Sequence, residues 1–251
     1  MHRQWLRFSW LAVVSLRNGQ YNAYDALDGF QGAGEFENVL TSAGLKVATF
    51  DLLLGNDCMT DEGKITFARL CLQCKRESIV LLGPPCAYFI YLSRKQHGKT
   101  KARPAGNASR FSREGNKVAL FVAFAIWLCS LLELSLVIEQ PQTSVLWFNK
   151  FVGAALRRAR ASRVAWRMGA LGAPSPKPSI GFFLNARAAA TFRRVALRKY
   201  RLQRTRLAGA PRAYCWGAQG DLRANPLTKR SQIYPRPFCR LVLKSHSQLL
   251  K

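Results

Sequence analysis

The second half of this 251-residue chain almost lacks acidic residues. Residues 141–251 contain 23 Lys and Arg but one acid, Asp221, whereas residues 1–140 contain 16 basic and 12 acidic side chains. The first part has the charge balance of an ordinary globular domain, and the second has that of a region that meets a polyanion. Nucleic acid is the commonest such partner, and an anionic membrane surface is the next.

The cysteines lack the regular spacing of a disulfide framework. There are seven, an odd number, in a chain whose 49% apolar content is enough to build a core, so we expect them to be mostly reduced. Cys71 and Cys74 form one C-x-x-C pair, but no second pair follows at the distance typical of a zinc finger. We therefore predict no metal site and interpret the pair as two cysteines on one face of a helix.

Two apolar segments lack some features of targeting or membrane segments. Residues 8–16 follow two arginines, as in a signal peptide, but no small-x-small cleavage pattern precedes Asn18. Residues 118–138 are long enough to span a membrane, but Glu133 would be costly there. We interpret them as a buried helix and a strand, and expect an intracellular protein, nuclear or cytoplasmic. A membrane-anchored basic protein is an alternative.

A cluster of glycines lies between a predicted strand and a predicted helix. The strand covers residues 24–28, the glycine turn covers residues 29–34, the helix covers residues 35–43, and a second strand over residues 45–50 ends at Asp51. This is the layout of a nucleotide-binding βαβ unit, in which glycines let the backbone approach a ligand and the acid binds ribose hydroxyls. The alternative for the glycines is a turn without a ligand.

Two more predicted strands end in residues that carry chemistry. Residues 78–82 form a continuous apolar run, as expected for a strand buried on both faces of a parallel sheet, and a loop with Cys86 follows. Residues 134–138 form another strand, which ends at Glu139. Ligands of open α/β sheets bind beyond the carboxyl ends of the strands, so we expect Cys86 and Glu139 to lie near the glycine turn and Asp51. A buried, inert thiol and an ion-paired strand-end acid are the alternatives.

Over about residues 24–141, these motifs resemble the DNA (cytosine-5) methyltransferases. The turn Asp28-Gly-Phe-Gln-Gly-Ala-Gly34 is similar to the first motif of the family, Gly83-Pro-Pro-Cys86 to its proline-cysteine loop, and Glu139 to the glutamate of its E-N-V motif. The resemblance implies a Rossmann-like S-adenosylmethionine-dependent methyltransferase sheet with helices on both faces. It also implies a nucleic-acid substrate, with DNA favoured over RNA.

The resemblance assigns a role to each matched residue. Cys86 would be the nucleophile and Glu139 the acid that protonates the ring. Phe30 would stack on the adenine of S-adenosylmethionine, Asp51 would hold its ribose, and Asp57 would contact its adenine amine. The full set of implied cofactor-binding residues is Phe30, Gly32, Gly34, Asp51, Asp57 and Pro84.

The chain also departs from the pattern of the family. Ala87 stands where the family has glutamine, Gln140 where it has asparagine, and Pro141 where it has an apolar residue. No Gln-x-Arg-x-Arg segment is present in the expected region, and the chain is short for a target-recognition domain. A catalytically degenerate relative with a basic nucleic-acid-binding surface is therefore the main alternative. Amino-group methyltransferases, which have an aromatic residue at the position of Cys86, are a weaker one.

Two basic segments are candidates for nucleic-acid binding. Residues 93–113 read as a long mobile loop over a strand end, and residues 186–206 carry basic residues without an acid, so a helix there would need a polyanion to pack tightly. The candidate contacts are Arg94, Lys95, Lys99, Lys101, Arg103, Arg193, Arg194 and Arg198.

Three regions follow from these patterns. We predict an N-terminal extension over residues 1–20, a methyltransferase-like α/β domain over residues 21–185, and a basic C-terminal region over residues 186–251 that is partly helical or disordered. Within the domain, strands over residues 164–166 and 180–184 are expected to pair as a late hairpin.

Overall fold

The computed structural model describes residues 23–208, 214–216, 222–224 and 233–246, so the predicted extension over residues 1–20 lies outside it. The described strands are β1 (Tyr24–Gly29), β2 (Val47–Phe50), β3 (Cys74–Leu82), β4 (Ser135–Pro141), β5 (Ser162–Arg167), β6 (Pro178–Phe183), β7 (Tyr214–Trp216) and β8 (Leu222–Ala224). The described α-helices are α1 (Glu35–Thr41), α2 (Asp61–Gln73), α3 (Arg94–His97), α4 (Arg110–Leu131), α5 (Lys150–Arg158), α6 (Ala186–Ala208) and α7 (Arg236–His246).

The main sheet has six strands in the order β2-β1-β3-β4-β6-β5. The first four are parallel, and β6 runs antiparallel to both β4 and β5, which confirms the predicted late hairpin. The α/β class is confirmed, and the mixed sheet is compatible with a Rossmann-like fold. From β1 the chain crosses first to β2 on one side and later to β3 on the other. Such a reversal opens a crevice at the carboxyl ends of the strands.

Helices cover both faces of the sheet. The face covered by α2, α4 and α5 contains the stacked rings of Phe50 and Phe121, whose centroids are 5.5 Å apart. The face covered by α1, α6 and α7 contains Phe192 and Phe238, whose centroids are 5.9 Å apart. The continuous apolar run of β3 is buried from Ser78 to Leu82, as expected for a strand between two helical layers.

Helix α4 contains the apolar segment that is long enough for a membrane span. Its side of the core includes Val118, Phe121, Val122 and Ala125, all of which are at most 1% exposed. Half of its most apolar window is buried inside the protein, and by length and composition the helix also meets the criteria for a membrane span. In this fold, the apolar side of the segment therefore packs in the core against the sheet.

Helix α6 corrects the expectation that the arginine-rich segment cannot pack tightly. Ala188, Ala189, Phe192, Ala196 and Leu207 form a buried stripe on the helix, and the arginines lie on its other faces. The short alanine side chains let the helix approach β5 closely, while Phe192 fills the space between them. The helix thus belongs to the same packed body as the sheet, although the predicted boundary separated them after residue 185.

The segment over residues 93–113 also differs from the predicted mobile loop. It begins with α3 and folds back so that Lys99 is 2% exposed, which contradicts the prediction that Lys99 binds nucleic acid. The Lys99 ammonium donates hydrogen bonds to the carbonyl oxygens of Ala105 and Ser112, at 3.3 and 3.2 Å, and to Asn116 Oδ1. These bonds fasten the segment to the start of α4.

Replacing Lys99 tests this anchor. Burial lowers the pKa of Lys99 from 10.5 to about 8, so between these values the unfolded chain holds a proton that the folded protein has lost. The stability of the wild type should therefore rise with pH across this window relative to Lys99→Met. The loss of stability in Lys99→Met should therefore be larger at pH 10 than at pH 7, because desolvation of the ammonium offsets part of the contribution of its hydrogen bonds at the lower pH. Urea denaturation at several pH values measures the difference, and equal pH slopes in the two proteins would contradict the role of Lys99.

Candidate active site

The glycine turn after β1 is held in a left-handed conformation. Phe30, Gly32 and Gly34 have φ values of 62°, 57° and 69°. The Phe30 amide donates to the Phe50 carbonyl at 2.7 Å, and the Gly32 amide donates to Asp51 Oδ2 at 3.2 Å. These bonds fix the turn against the end of β2, so the predicted neighbours Gly32 and Asp51 do meet.

Phe30 contributes mainly to the core. It is half-buried, and its ring packs edge-on against Phe50 and Phe121, with centroid distances of 6.5 and 5.7 Å. The Phe30 ring thus supports the glycine turn from the core side. Only its exposed part is available to stack on a ligand.

The two aspartates predicted to bind the cofactor also shape their own loops. Asp51 Oδ1 accepts the Leu53 amide at 2.8 Å and starts a short 3-10 helix, and Asp57 Oδ1 accepts the Met59 amide at 2.8 Å. Each carboxylate oxygen can accept more than one hydrogen bond. Asp51 therefore keeps the capacity to bind hydroxyls beside the glycine turn.

Asp28 is a site residue that the sequence reasoning did not select. It is 2% exposed at the end of β1, and its Oδ2 accepts the Glu37 amide at 3.3 Å. Burial raises the pKa of Asp28 to about 7, and the charges of Glu37 and Asp51 add to that rise. A buried acid with a perturbed pKa in a crevice is typical of functional sites. Its signal in the sequence was an acid directly after the apolar pair Ala26 and Leu27, at the start of the glycine turn.

The side chain of Gln140 fixes the loop that carries Cys86. Its Nε2 donates to the Pro84 carbonyl, and its Oε1 accepts the Ser144 hydroxyl at 3.0 Å. Pro84 and Gln140 are both buried. Gln140 departs from the asparagine of the resembled family, yet it joins the ends of β3 and β4.

Among the six cysteines within residues 23–208 and 233–246, Cys86 has the most accessible thiol. It is half-buried, whereas Cys58, Cys71, Cys74, Cys129 and Cys239 are buried. Burial raises the pKa of the Cys86 thiol, the positive charge of Lys177 lowers it in part, and the negative charge of Glu139 adds to the rise. Cys86, Lys177 and Glu139 therefore form one electrostatic group.

Glu139 lies at the end of β4 and is 3% exposed. Its Oε2 accepts the Tyr234 hydroxyl at 3.1 Å, and its Oε1 lies 3.8 Å from Lys177 Nζ and has no hydrogen-bond partner. Burial, followed by the charge of Glu139, raises the pKa of Tyr234 well above its ordinary value. A buried carboxylate with one unfilled acceptor is an unusual feature that needs an explanation.

The basic segment that begins at Ser93 is attached to the loop that carries Cys86. Ser93, just before α3, donates its hydroxyl to the Ala87 carbonyl, so the basic segment is joined directly to the Cys86 loop. The predicted nucleic-acid contacts that are exposed in this segment are Arg94, Lys95, Lys101 and Arg103.

Helix α6 brings a second line of cations towards the same edge. It follows β6, which ends at the opposite edge of the sheet, and returns along the sheet to Leu207. Leu207, near the end of the helix, lies close to Gly169, since a methyl group on Gly169 would lie 2.8 Å from Leu207 Cδ2 and 2.8 Å from the Ser175 carbonyl oxygen. The helix therefore ends beside the turn that contains Lys177. The predicted Arg193, Arg194 and Arg198 are exposed on this helix, as are Arg201, Arg204 and Arg206.

The sequence reasoning missed Lys177 and Tyr234. Lys177 lies in a turn-rich segment with no distinctive spacing, and Tyr234 was one of several aromatics in the basic tail. Both reach the site through contacts between distant parts of the chain. No local pattern could have identified them.

Among the described residues, no group of three or more His, Cys, Asp or Glu side chains is placed to hold a metal ion. No protein-family model and no curated protein matches the chain.

Lys177 can be tested through the reactivity of Cys86. We expect Lys177→Met to move the pH midpoint of Cys86 alkylation by iodoacetamide upwards, because the thiolate loses a nearby positive charge. Peptide mass spectrometry follows the modification at Cys86. Lys177→Arg is the matched control and should keep the wild-type midpoint. An unchanged midpoint in Lys177→Met would show that Lys177 does not influence the thiol.

Proposed function

We propose that this protein is a divergent S-adenosylmethionine-dependent DNA (cytosine-5) methyltransferase-like enzyme that acts through a covalent adduct with Cys86. The observation that carries the proposal is the meeting of a half-buried thiol and a buried carboxylate at the ends of the adjacent strands β3 and β4. They lie at the same sheet edge as the glycine turn. This edge contains the strand-order reversal at which α/β proteins bind ligands.

The residues around the glycine turn suit a cofactor with positive charge. Asp28, Glu37 and Asp51 are close enough that the charges of the other two raise the pKa of Asp28. A cation nearby would relieve this repulsion. S-adenosylmethionine carries an ammonium, a sulfonium and a carboxylate group and thus a net positive charge; after it supplies the methyl group, the sulfonium becomes a neutral sulfide. Gly32, Gly34 and Asp51 would hold it, with Phe30 beneath.

The chemistry of cytosine requires the two strand-end groups. The Cys86 thiolate adds to carbon 6, the 5,6 double bond opens, and carbon 5 becomes electron-rich enough to accept a methyl group. Glu139 gives a proton to ring nitrogen 3, which neutralises the charge that develops on the ring. A water molecule then accepts the carbon-5 proton, the 5,6 double bond re-forms as Cys86 leaves as a thiolate, and ring nitrogen 3 returns its proton to Glu139.

The surface charge suits a nucleic-acid substrate. Exposed cations flank the Cys86 loop on one side, and the arginines of α6 lead to the Lys177 turn on the other. A base inside a duplex must leave the stack to reach a thiol, and contacts with the phosphate backbone hold the strand while this happens. The charge distribution therefore supports DNA as the partner.

A trapping experiment tests thiol, cofactor and substrate together. DNA that contains 5-fluorocytosine should form a covalent complex with the protein in the presence of S-adenosylmethionine, because fluorine at carbon 5 prevents release of the adduct. Cys86→Ser should form no complex and should still bind S-adenosylmethionine, which calorimetry measures. Denaturing gel electrophoresis detects the adduct.

The same experiment separates the enzyme from its alternative. A catalytically degenerate relative would bind DNA in a salt-sensitive way and form no adduct in the wild type. Adduct formation by Cys86→Ser at the wild-type rate would exclude Cys86 as the nucleophile.

Helix α6 can be tested by neutralising three exposed cations. Replacing Arg198, Arg201 and Arg204 with Gln should weaken binding to duplex DNA and reduce the slope of log affinity against log salt by up to about 3, because each phosphate contact contributes about 0.9. Fluorescence anisotropy at several salt concentrations measures both quantities.

The matched control removes the same charge elsewhere. Arg157, Arg158 and Arg160 are exposed at the end of α5, on the opposite face of the sheet and away from the Lys177 turn. Replacing these three with Gln should leave most of the salt slope intact. An equal loss in both triple variants would mean that net charge, and not the α6 surface, determines binding.

A further inference from the structure

The side chain of Tyr234 fills the space between the ends of β3 and β4. Its hydroxyl donates to Glu139 Oε2 at 3.1 Å. A methyl group on Gly83 would lie 2.3 Å from the Tyr234 hydroxyl oxygen and 3.1 Å from Cζ. The phenol end therefore lies directly against the backbone of Gly83, which leaves no room for a side chain at this position.

Tyr234 donates a hydrogen bond to only one of the two carboxylate oxygens of Glu139. Glu139 Oε1 is buried and has no hydrogen-bond partner, although Lys177 Nζ lies 3.8 Å away. A phenol has a single donor, so it cannot bind both oxygens. A planar ring with two adjacent N–H donors can bind both in parallel, and such paired, charge-assisted bonds are stronger than single ones.

We propose that Tyr234 occupies, in the free protein, the position of the aromatic ring of the ligand, and that a ring with two adjacent N–H donors displaces it. This inference rests on the proposed function only for the identity of the natural ring, which would be a cytosine protonated at nitrogen 3. The ligand displaces Tyr234 because it binds only the state in which the Tyr234 ring has left the site.

The displacement needs only a local movement. Helix α7 begins two residues after Tyr234 and is anchored by Phe238, Cys239 and Val242, which are 0% exposed. The Tyr234 ring is half-buried and rests on Phe238 with a centroid distance of 4.9 Å. Rotation of the Tyr234 side chain out of the site can therefore leave the helix in place.

Removing the ring is the first test. In Tyr234→Ala, we expect iodoacetamide to modify Cys86 several-fold faster than in the wild type, because the ring lies against Gly83, three residues before Cys86, and its removal opens this end of the site. The 2-aminopyridinium ion, which has two adjacent donors, should slow this reaction at lower concentration than phenol, and toluene should not slow it. The control Leu241→Ala removes a buried α7 side chain and should label at the wild-type rate.

A second variant pushes the ring out while keeping it in the chain. Gly83→Ala places its methyl group where the Tyr234 hydroxyl lies, so Cys86 should again label faster than in the wild type. The methyl group partly fills the site, so 2-aminopyridinium should protect much less than in Tyr234→Ala. If Tyr234→Ala does not fold, Gly83→Ala decides the question alone through its labelling rate.

Two results would overturn the inference. One is labelling of Cys86 in Tyr234→Ala or Gly83→Ala at the rate of Leu241→Ala. The other is faster labelling in Tyr234→Ala that neither 2-aminopyridinium nor phenol slows. Failure of the proposed function gives a different pattern. In that case 2-aminopyridinium and phenol still protect Tyr234→Ala, while DNA with 5-fluorocytosine forms no adduct in any variant.

Discussion

The arrangement of the candidate site depends on the hydrogen bond from the Gln140 side chain to the Pro84 carbonyl. Proline cannot continue the ladder of β3, so this bond is one of the contacts that hold the loop with Cys86 against β4; another is the Val145 amide, which donates to the Phe89 carbonyl at 2.9 Å. Gln140 follows Glu139 directly, and its side chain reaches β3 while that of Glu139 points to the face covered by α7. One dipeptide thereby sets the position of both the thiol loop and the acid.

The site combines acidic residues with a strongly basic surface. The chain has a net charge of +26, yet Asp28, Asp51 and Glu139 gather at the carboxyl edge of the sheet. Lys177 lies beside Glu139, whereas the exposed cations of α3 and α6 lie outside this group. Under the proposed function, these two regions would bind partners of opposite charge, a cationic small molecule at the strand ends and a polyanion along the basic surface.

The sequence predicted the parts of this protein that depend on local patterns. The apolar run of β3, the glycine turn after β1 and the strand-end positions of Asp51, Cys86 and Glu139 follow from periodicity and turn chemistry. It did not predict the burial of Lys99, because the hydrogen-bond partners of Lys99 lie up to 17 residues away in the chain. It also did not predict the packing of α6, because the number of arginines was considered and the spacing of the small buried alanines was not. The role of Tyr234 depends on contacts between distant segments, which no window of sequence contains.

Tyr234 and Glu139 are 95 residues apart in the chain, so the ribosome makes Glu139 well before Tyr234. At ordinary rates of translation, about 5–20 seconds pass between the two residues. All six strands of the main sheet are made before Tyr234, so the sheet can assemble while the carboxylate still lacks its hydroxyl partner. Contacts of such long range also form late in folding because their loop entropy must be overcome first. The nascent protein therefore passes through an open form of the site before Tyr234 closes it.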